Sequence, residues 1–252
     1  ISYKINLDCN EEKRKRAIDA FNELANRVEL INFYENESVG EIDIEVSCSE
    51  KEKYLVEEDF FVAGEGGANK VVQTERYNVI VSGIILLYDT TKGIKCKWPN
   101  IELHEILHVF GFSHSQEANS LMYPYLDSCE QKLDESIIQD LKELYSQENL
   151  ADLYFTSVEA VKKGRYLDFN ITIKNSGTLD ADSVILSVFD EEGKTEDFTL
   201  GKITFGSGIT FSVLNLELKS RSSRDIEIII DADNLIKEID EKNNVAKLEF
   251  ES

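Results

Sequence analysis

The stretch that decides the fold is His104-Glu105-Ile106-Leu107-His108-Val109-Phe110-Gly111-Phe112-Ser113-His114, which contains all three histidines of the chain. On a helix, His104 and His108 project from one face, one turn apart, so both imidazoles can reach one metal ion. Glu105 lies beside them, close enough to reach a water on that metal without being a ligand. Gly111 is expected to end the helix, because glycine adopts the left-handed conformation at little cost. The chain then brings in His114 as a third ligand.

Three protein ligands leave a fourth position for water, which is typical of a catalytic rather than a structural Zn²⁺. The five-residue core of the motif also occurs by chance on amphipathic helices, and its apolar residues would suit such a helix. The added glycine and third histidine favour the metal interpretation. The sequence therefore predicts one catalytic Zn²⁺ held by His104, His108 and His114, with Glu105 as the general base.

This motif resembles that of the metzincin metallopeptidases, and the resemblance continues downstream. The segment Ser120-Leu121-Met122-Tyr123-Pro124 resembles their Met-turn, the loop whose methionine packs under the metal site, and Met122 is the only methionine of the chain. Ser115 and the Met-Tyr-Pro order are most similar to the matrixin branch. The resemblance implies a zinc metalloendopeptidase acting on protein or peptide substrates, with Gly111, Met122 and Pro124 as structural support.

The sequence departs from the matrixin pattern in two respects. Matrixins follow Met-Tyr-Pro with x-Tyr, whereas Tyr125 follows Pro124 directly here, so the wall of the substrate pocket is expected to differ. The sequence also shows neither the His/Asp clusters that bind the structural zinc and calcium ions of vertebrate matrixins nor a cysteine-switch propeptide. The resemblance covers residues 1–146 and implies a mixed twisted sheet packed on long helices.

Hydrophobic periodicity predicts the elements of this first region. Alternation predicts strands at residues 1–7, 30–34 and 42–47, and a 3.6-residue period predicts a helix at 10–29. The basic run Lys13-Arg14-Lys15-Arg16 is interpreted as the solvated face of that helix. Later elements are a glycine-rich loop at 64–67, an antiparallel pair at 70–74 and 78–89, the active-site helix from Asn100 or Ile101, and a helix at 133–146. The edge of the sheet is expected within residues 60–74.

The charge balance excludes several classes of partner. The chain carries 27 basic and 49 acidic residues, a net charge of −22. The part up to Leu150 has 15 basic and 29 acidic residues (−14), and the remainder has 12 and 20 (−8). Both parts are acidic, which argues against nucleic acid or an anionic membrane surface as partner. No apolar run is long enough to span a bilayer. The start, Ile1 to Ile5, is expected to be the first strand of a mature chain rather than a signal peptide.

The four cysteines are Cys9, Cys48, Cys96 and Cys129, and none has C-x-x-C spacing. The metzincin resemblance makes the strands next to Cys9 and Cys48 parallel neighbours, which implies a bridge between them. It also places Cys96 before the active-site helix and Cys129 after the Met-turn, which implies a second bridge. Two disulfides predict an oxidising compartment and hence a secreted, extracellular or cell-surface protein. Four reduced thiols in a cytosolic enzyme remain the alternative.

From Asp152 onward the sequence contains no His, Cys, Met or Trp. Alternation and turn signals predict seven strands, at residues 154–158, 166–174, 183–190, 195–205, 208–217, 224–231 and 244–250. The stretches at 172–177 and 231–244 resemble the CARDB modules of microbial surface proteins, which are immunoglobulin-like sandwiches. The acidic segment 231–234 suits either a calcium site or a turn capped by Asp and Asn side chains, and the turn is favoured.

The chain is thus expected to be an α+β protein with two domains. A zinc peptidase domain is predicted at residues 1–149 and an all-β immunoglobulin-like sandwich at 150–252. The expected partners are a protein or peptide substrate and a cell-surface partner of the sandwich, and the chain is expected to be a monomer. The alternative is a surface adhesion or scaffold protein with a vestigial zinc-binding domain. The retained Glu105 and Met122 argue against that alternative.

Overall fold

A computed structural model of the chain describes residues 1–37, 40–51, 53–54, 61–89, 96–126 and 128–250. The chain divides into two compact units. The first comprises Ile1–Val71 and Ile80–Glu148, and the second comprises Val72–Val79 and Asn149–Ser252. Each unit has its own hydrophobic core. No helix in the described part of the chain has the length and apolar character needed to cross a membrane.

The first unit is built on a five-stranded sheet. The strands of this part of the chain are β1 (Ser2–Ile5), β2 (Tyr34–Glu35), β3 (Ile44–Ser49), β4 (Lys53–Tyr54), β5 (Phe61–Val62), β6 (Gly64–Gln73) and β7 (Asn78–Tyr88). The sheet order is β2-β1-β3-β7-β6, while β4 and β5 form a separate antiparallel pair. Strand β1 pairs in parallel with β2 and β3, and β3 pairs in parallel with β7. Strand β6 forms the edge, inside the predicted range of 60–74, of which residue 60 lies outside the described residues.

Three helices accompany this sheet: α1 (Glu11–Val28), α2 (Asn100–Val109) and α3 (Glu135–Ser146). The first and third were expected from their hydrophobic period, and the second from the spacing of its two histidines. Asn10 caps α1 by accepting a hydrogen bond from the Lys13 backbone N–H, and Phe21 of α1 stacks on Tyr3 of β1 with ring centroids 4.2 Å apart. Burying a large apolar side chain such as Phe21 contributes about 1.5–3 kcal/mol to stability. The apolar face of α1 therefore holds the helix on the sheet.

The interpretation of the basic run as a solvated face is wrong for three of its four residues. Lys13 donates to backbone carbonyls of β3 and β7 and forms an ion pair with Asp89 at 2.6 Å. Arg14 donates to the Ile5 carbonyl at 3.2 Å, and Arg16 forms an ion pair with α2. These contacts join residues far apart in sequence, so a local charge pattern could not predict them. Only Lys15 of the run is exposed.

Two predicted segments also differ from the structure. The strand expected at 30–34 shares only Tyr34 with β2, and Leu30 is half exposed. The glycine-rich segment 64–67, expected as a loop, is the first part of strand β6. Glycine has no side chain to alternate, so the period-2 signal of a strand is missing there.

Both pairs of cysteines are joined by disulfides in the first unit. Cys9, before α1, is bonded to Cys48 of β3 with a Cα–Cα distance of 4.8 Å. Cys96, before α2, is bonded to Cys129 with a Cα–Cα distance of 5.4 Å. The second bridge ties the segment entering α2 to the segment that precedes α3. All four cysteines of the chain are therefore used.

The second unit is an all-β sandwich, as predicted. Its strands are β8 (Leu153–Lys163), β9 (Tyr166–Asn175), β10 (Ala181–Asp190), β11 (Gly193–Ile203), β12 (Gly208–Glu217), β13 (Asp225–Ile230) and β14 (Val245–Glu249). They form one sheet in the order β11-β10-β13-β14 and another in the order β12-β9-β8, with antiparallel pairing. Alternate residues of each strand, such as Phe169 and Ile171 of β9, are buried in a common core. That alternation is the signal from which the seven strands were predicted.

The acidic segment 231–234 has the geometry of a capped turn. Asp231 and Asn234 adopt positive φ angles of 50° and 49°. The Asp231 carboxylate accepts the Ile236 backbone N–H at 2.6 Å, and the Asn234 N–H donates to the Asp231 carbonyl at 2.9 Å. Asp and Asn are the non-glycine residues that tolerate this conformation best. The geometry agrees with the turn interpretation.

Glu238 is a buried carboxyl group in the sandwich, with 6% of its surface exposed. It accepts hydrogen bonds from the Leu153 backbone N–H and from Asn244 Nδ2. Burial, together with the nearby charges of Glu241 and Asp231, raises the pKa of Glu238 to about 7. Since the ordinary glutamate pKa is about 4.3, the folded state binds the proton of Glu238 more tightly than the unfolded state.

The second unit is therefore expected to lose stability as the pH rises through 7. The contribution of protonated Glu238 is complete below about pH 4.3 and is lost above its folded-state pKa. We expect the free energy of unfolding to fall by about 2 kcal/mol between pH 5 and pH 8, and Glu238→Gln to remove most of that fall. Urea unfolding followed by far-UV circular dichroism at both pH values measures this. A Glu238→Gln chain with the wild-type pH dependence would contradict it.

Candidate metal centre

The N-terminal end of α2 is held by a buried ion pair. Arg16 of α1 binds both carboxylate oxygens of Glu102, at 2.8 and 3.0 Å. The same guanidinium donates to the backbone carbonyls of Cys96 and Trp98 at 2.7 and 3.3 Å. A bidentate arginine–carboxylate pair fixes orientation as well as distance. Helix α2 therefore starts at a defined position, and it begins at Asn100 as predicted.

The C-terminal end of α2 is closed by the turn that the glycine of the motif predicts. Gly111 has a φ of +89°, a conformation in which any other residue would be strained. Its N–H donates to the His108 carbonyl at 3.0 Å, and the Phe112 N–H donates to the Leu107 carbonyl at 3.1 Å. These two bonds form a Schellman motif. The turn reverses the chain and returns His114 to the helix.

The three histidines converge on one point. Their Nε2 atoms form a triangle, with distances of 3.0 Å between His104 and His108, 3.2 Å between His108 and His114, and 3.3 Å between His104 and His114. His104 is buried, His108 is half-buried and His114 is exposed. The triangle is thus anchored in the core on one side and open to solvent on the other.

Backbone carbonyls set the tautomers of the two helical histidines. His104 Nδ1 lies 2.7 Å from the Leu121 carbonyl oxygen, and His108 Nδ1 lies 2.7 Å from the Phe112 carbonyl oxygen. A carbonyl oxygen only accepts, so each Nδ1 carries the hydrogen. The lone pair of each Nε2 then points toward the centre of the triangle. This outer hydrogen bond is the arrangement that orients metal-ligating histidines.

The donor set fits Zn²⁺. In a tetrahedral site with Zn–N bonds of about 2.1 Å, neighbouring ligand atoms lie about 3.4 Å apart. The Nε2 atoms of the triad are 3.0–3.3 Å apart, close to that spacing. Burial lowers the pKa of His104 to about 4, and burial followed by the charge of His108 lowers the pKa of His114. Neutral imidazoles at pH 7 are the form that binds metal.

Glu105 lies next to the triad and is almost fully buried. Its exposed fraction is 6%, and its carboxylate accepts a hydrogen bond from the Gly66 backbone N–H. Burial raises the pKa of Glu105 to about 8, the Gly66 hydrogen bond lowers it, and the charges of Glu65 and Glu102 raise it further. A bound cation would act in the opposite direction and favour the carboxylate.

The Met-turn contacts the triad through the Leu121 carbonyl and is closed by hydrogen bonds. Met122 is fully buried, its backbone N–H donates to Ser120 Oγ at 3.0 Å, and its carbonyl accepts the Ser115 N–H at 2.8 Å. Ser120 Oγ in turn donates to the Asp134 carboxylate. The carbonyl of Leu121 in this turn orients His104. The turn therefore reaches the metal centre through its backbone.

Gln131 is a residue of this region that the sequence did not reveal. Its side chain is 3% exposed, and its Nε2 lies 2.9 Å from the Tyr125 carbonyl, 3.2 Å from the Ala118 carbonyl and 3.4 Å from the Ser120 carbonyl. Its Oε1 accepts the Ser128 N–H at 3.3 Å. One amide thus holds both ends of the Met-turn. A single glutamine in an irregular segment gives no periodic signal, so sequence reasoning could not find it.

The two residues after the Met-turn tyrosine are exposed. Pro124, predicted as structural support, lies at the surface after the buried Met122. Tyr125 is 37% exposed, and its ring lies 5.9 Å from that of Tyr123. The structure thus brings together the three histidines, with Glu105 adjacent to His104 in the chain.

Comparison with known families agrees with this fold. The Matrixin family model matches residues 1–146, more than half of the chain, and the CARDB model matches residues 150–248. The chain belongs to the matrixin family, a metzincin family of zinc metallopeptidases, with a CARDB domain following the matrixin region. No curated protein gives a significant match.

Solved structures resemble separate parts of the chain. A CARDB domain from Pyrococcus furiosus is 19% identical and covers 40% of this chain and 94% of its own, with a TM-score of 0.31. A domain of a putative cell surface protein from Methanosarcina acetivorans is 18% identical and covers 39% and 89%, with a TM-score of 0.34. Archaemetzincin from Methanopyrus kandleri is 12% identical and covers 58% and 95%, with a TM-score of 0.38.

Proposed function

We propose that the chain is a zinc-dependent endopeptidase in which His104, His108 and His114 hold one Zn²⁺ and Glu105 is the general base. The observation that carries the proposal is the triangle of Nε2 atoms, 3.0–3.3 Å apart, beside a buried glutamate. Carbonyl groups that accept from both Nδ1 atoms of the helical histidines support the same ligand set.

When bound, Zn²⁺ would act as a Lewis acid that lowers the pKa of water to about 7 and polarises the scissile carbonyl. Glu105 accepts a proton from the attacking water while the new C–O bond forms. It then donates that proton to the peptide nitrogen as the C–N bond breaks, so that an amine leaves. Burial raises the pKa of Glu105 and a bound cation would lower it, and the carboxylate is the form that can accept the proton from water.

The proposal also assigns a separate role to each of the two domains. Residues 1–149 form the peptidase domain, and residues 150–252 form the CARDB sandwich, which binds a partner at the cell surface. The two disulfides support placement outside the cell, because such bonds persist in oxidising compartments. The protein is proposed to act as a monomer on protein or peptide substrates.

Metal content and proteolysis, measured on the same preparation, test this function. We expect one zinc per chain by elemental analysis, hydrolysis of casein, loss of hydrolysis with a chelator and its return when Zn²⁺ is restored. A chain that takes up no zinc after reconstitution would show that the three imidazoles are not a zinc site. One bound zinc without cleavage of casein or of unfolded proteins would favour the scaffold alternative.

A further inference from the structure

The edge strand β6 passes directly over the residue proposed as the general base, and two of its glycines face that residue. A Cβ on Gly66 would lie 2.2 Å from the backbone oxygen of Glu105 and 2.9 Å from its Cα. A Cβ on Gly64 would lie 2.7 Å from Cγ of Glu105 and 2.8 Å from Oε1. No side chain can occupy either position without moving β6, α2 or the carboxylate. Strand and helix are therefore in direct backbone contact at this residue.

The pattern along the strand is specific to these two positions. Residues i and i+2 of a strand share one face, so Gly64 and Gly66 face α2 while the residue between them faces away. That residue, Glu65, is held on the other side by Tyr88 Oη and Lys53 Nζ, both at 2.5 Å. A Cβ on Gly67 would meet no atom of the described residues within 4 Å. The close approach is thus confined to the face that covers Glu105.

A glycine in a strand interior is less stabilising than an alanine, and it commonly marks a close approach of backbone to another group. Here the approach leads to a hydrogen bond, because the Gly66 N–H donates to the Glu105 carboxylate. With 6% of its surface exposed, Glu105 has little other space to occupy. Strand β6 therefore limits the rotamers available to the Glu105 side chain and supplies a backbone N–H as hydrogen-bond donor to its carboxylate.

We propose that Gly64 and Gly66 are positioning residues for Glu105, and that the absence of side chains at these two positions fixes the position of its carboxylate beside the triad. The inference rests on the proposed function, in which Glu105 moves the proton. Neither glycine contacts the substrate or the histidines in this assignment. A new Cβ at either position is expected to displace the edge strand β6, which has a neighbouring strand on one side only in this sheet, or the Glu105 side chain, so the triad on α2 keeps its place.

The first test compares Gly66→Ala with Gly67→Ala, two identical changes one residue apart. A displacement of about 1 Å in a catalytic group costs about 10²-fold in rate. We expect kcat to fall about 10²-fold in Gly66→Ala and less than about twofold in Gly67→Ala. Zinc content and the absorption spectrum of the Co²⁺-substituted protein should match wild type in both. Equal kcat values in the two variants would overturn the inference.

The second test uses the side chain of Glu105 itself and remains decisive if Gly66→Ala fails to fold. Gly64→Ala meets Cγ and Oε1 of Glu105, and Glu105→Asp withdraws these atoms by one methylene. We expect Gly64→Ala to lower kcat about 30-fold in the wild-type chain but less than about threefold in the Glu105→Asp chain, because sites that act through each other are not additive. An equal loss in both chains would indicate a general structural effect and overturn the inference.

The outcomes separate this inference from the proposed function. If the wild-type chain has no chelator-sensitive activity, the proposed function fails before the glycines are tested. An active wild type and an inactive Glu105→Gln would support the proposed function. If, in the same series, Gly66→Ala has the kcat of Gly67→Ala, and Gly64→Ala lowers kcat equally with Glu105 and with Asp at position 105, only the positioning role of the glycines is wrong.

Discussion

Replacing Glu105 with glutamine is expected to lower kcat for casein-derived peptides by about 10³-fold, within the range for loss of a general acid–base group. The amide has the shape of the carboxylate and still accepts the Gly66 N–H, so the packing around this buried position is kept. An amide cannot take a proton from water at neutral pH. The loss therefore falls on the chemical step, and steady-state kinetics should show it in kcat rather than in KM.

The control for this variant is a glutamate close in sequence but exposed. Glu117 follows His114 by three residues and lies at the surface, so Glu117→Gln is expected to keep wild-type activity. Zinc content should be one per chain in wild type and in both variants, because the three imidazoles are unchanged. Unchanged activity in Glu105→Gln would remove Glu105 from the mechanism. Loss of zinc in that variant would assign it a binding role instead.

Removing both disulfides is expected to unfold the first unit at 37 °C while the second stays folded. The bridges span 39 and 33 residues, and the chain-entropy relation gives each about 3–4 kcal/mol. A whole domain is stable by only about 5–15 kcal/mol, so the two bridges together account for much of that. The sandwich contains no cysteine and should not respond to reduction.

The two units can be followed separately in this experiment. The only tryptophan, Trp98, lies in the first unit next to the Cys96–Cys129 bridge, so its fluorescence reports that unit during urea unfolding. Cys9→Ser/Cys48→Ser and Cys96→Ser/Cys129→Ser should each shift the fluorescence transition to lower urea and leave the β-sheet circular dichroism of the sandwich in place. Titration of the denatured, unreduced protein should find no free thiol. Four reactive thiols would contradict both bridges and the extracellular placement.

The parts of the fold that were predictable are those with a short-range signal. The placement of His104 and His108 on one face of α2 follows from their four-residue spacing, and the end of the helix follows from the need for positive φ at Gly111. The sandwich strands follow from alternation that the core of the second unit requires. The disulfide pairs needed the resemblance to a known family, because four cysteines alone allow three pairings.

The features that the sequence did not predict depend on contacts between residues far apart in the chain. In the sequence, Arg16 is one of four basic residues in a row. In the structure it binds Glu102, 86 residues away, and fixes the start of α2. No residue near Gln131 in the sequence indicates that its side chain donates hydrogen bonds to three backbone carbonyls. The glycines of β6 were predicted to form a loop. The reason for the missing side chains is the close contact with α2, which the sequence does not show. Each of these features belongs to the surroundings of the site rather than to its reacting groups.

The sulfur atoms of this chain are all protected from peroxide and other oxidants. A thiol must be free to be converted to a sulfenic acid, and a thioether must be reachable to become a sulfoxide. The four cysteines are paired, and the only methionine, Met122, has no exposed surface. We therefore expect peroxide to leave these sulfur atoms unmodified as long as the first unit stays folded. A sulfoxide found at Met122 would record that the first unit had opened, because the folded chain offers no route to that sulfur.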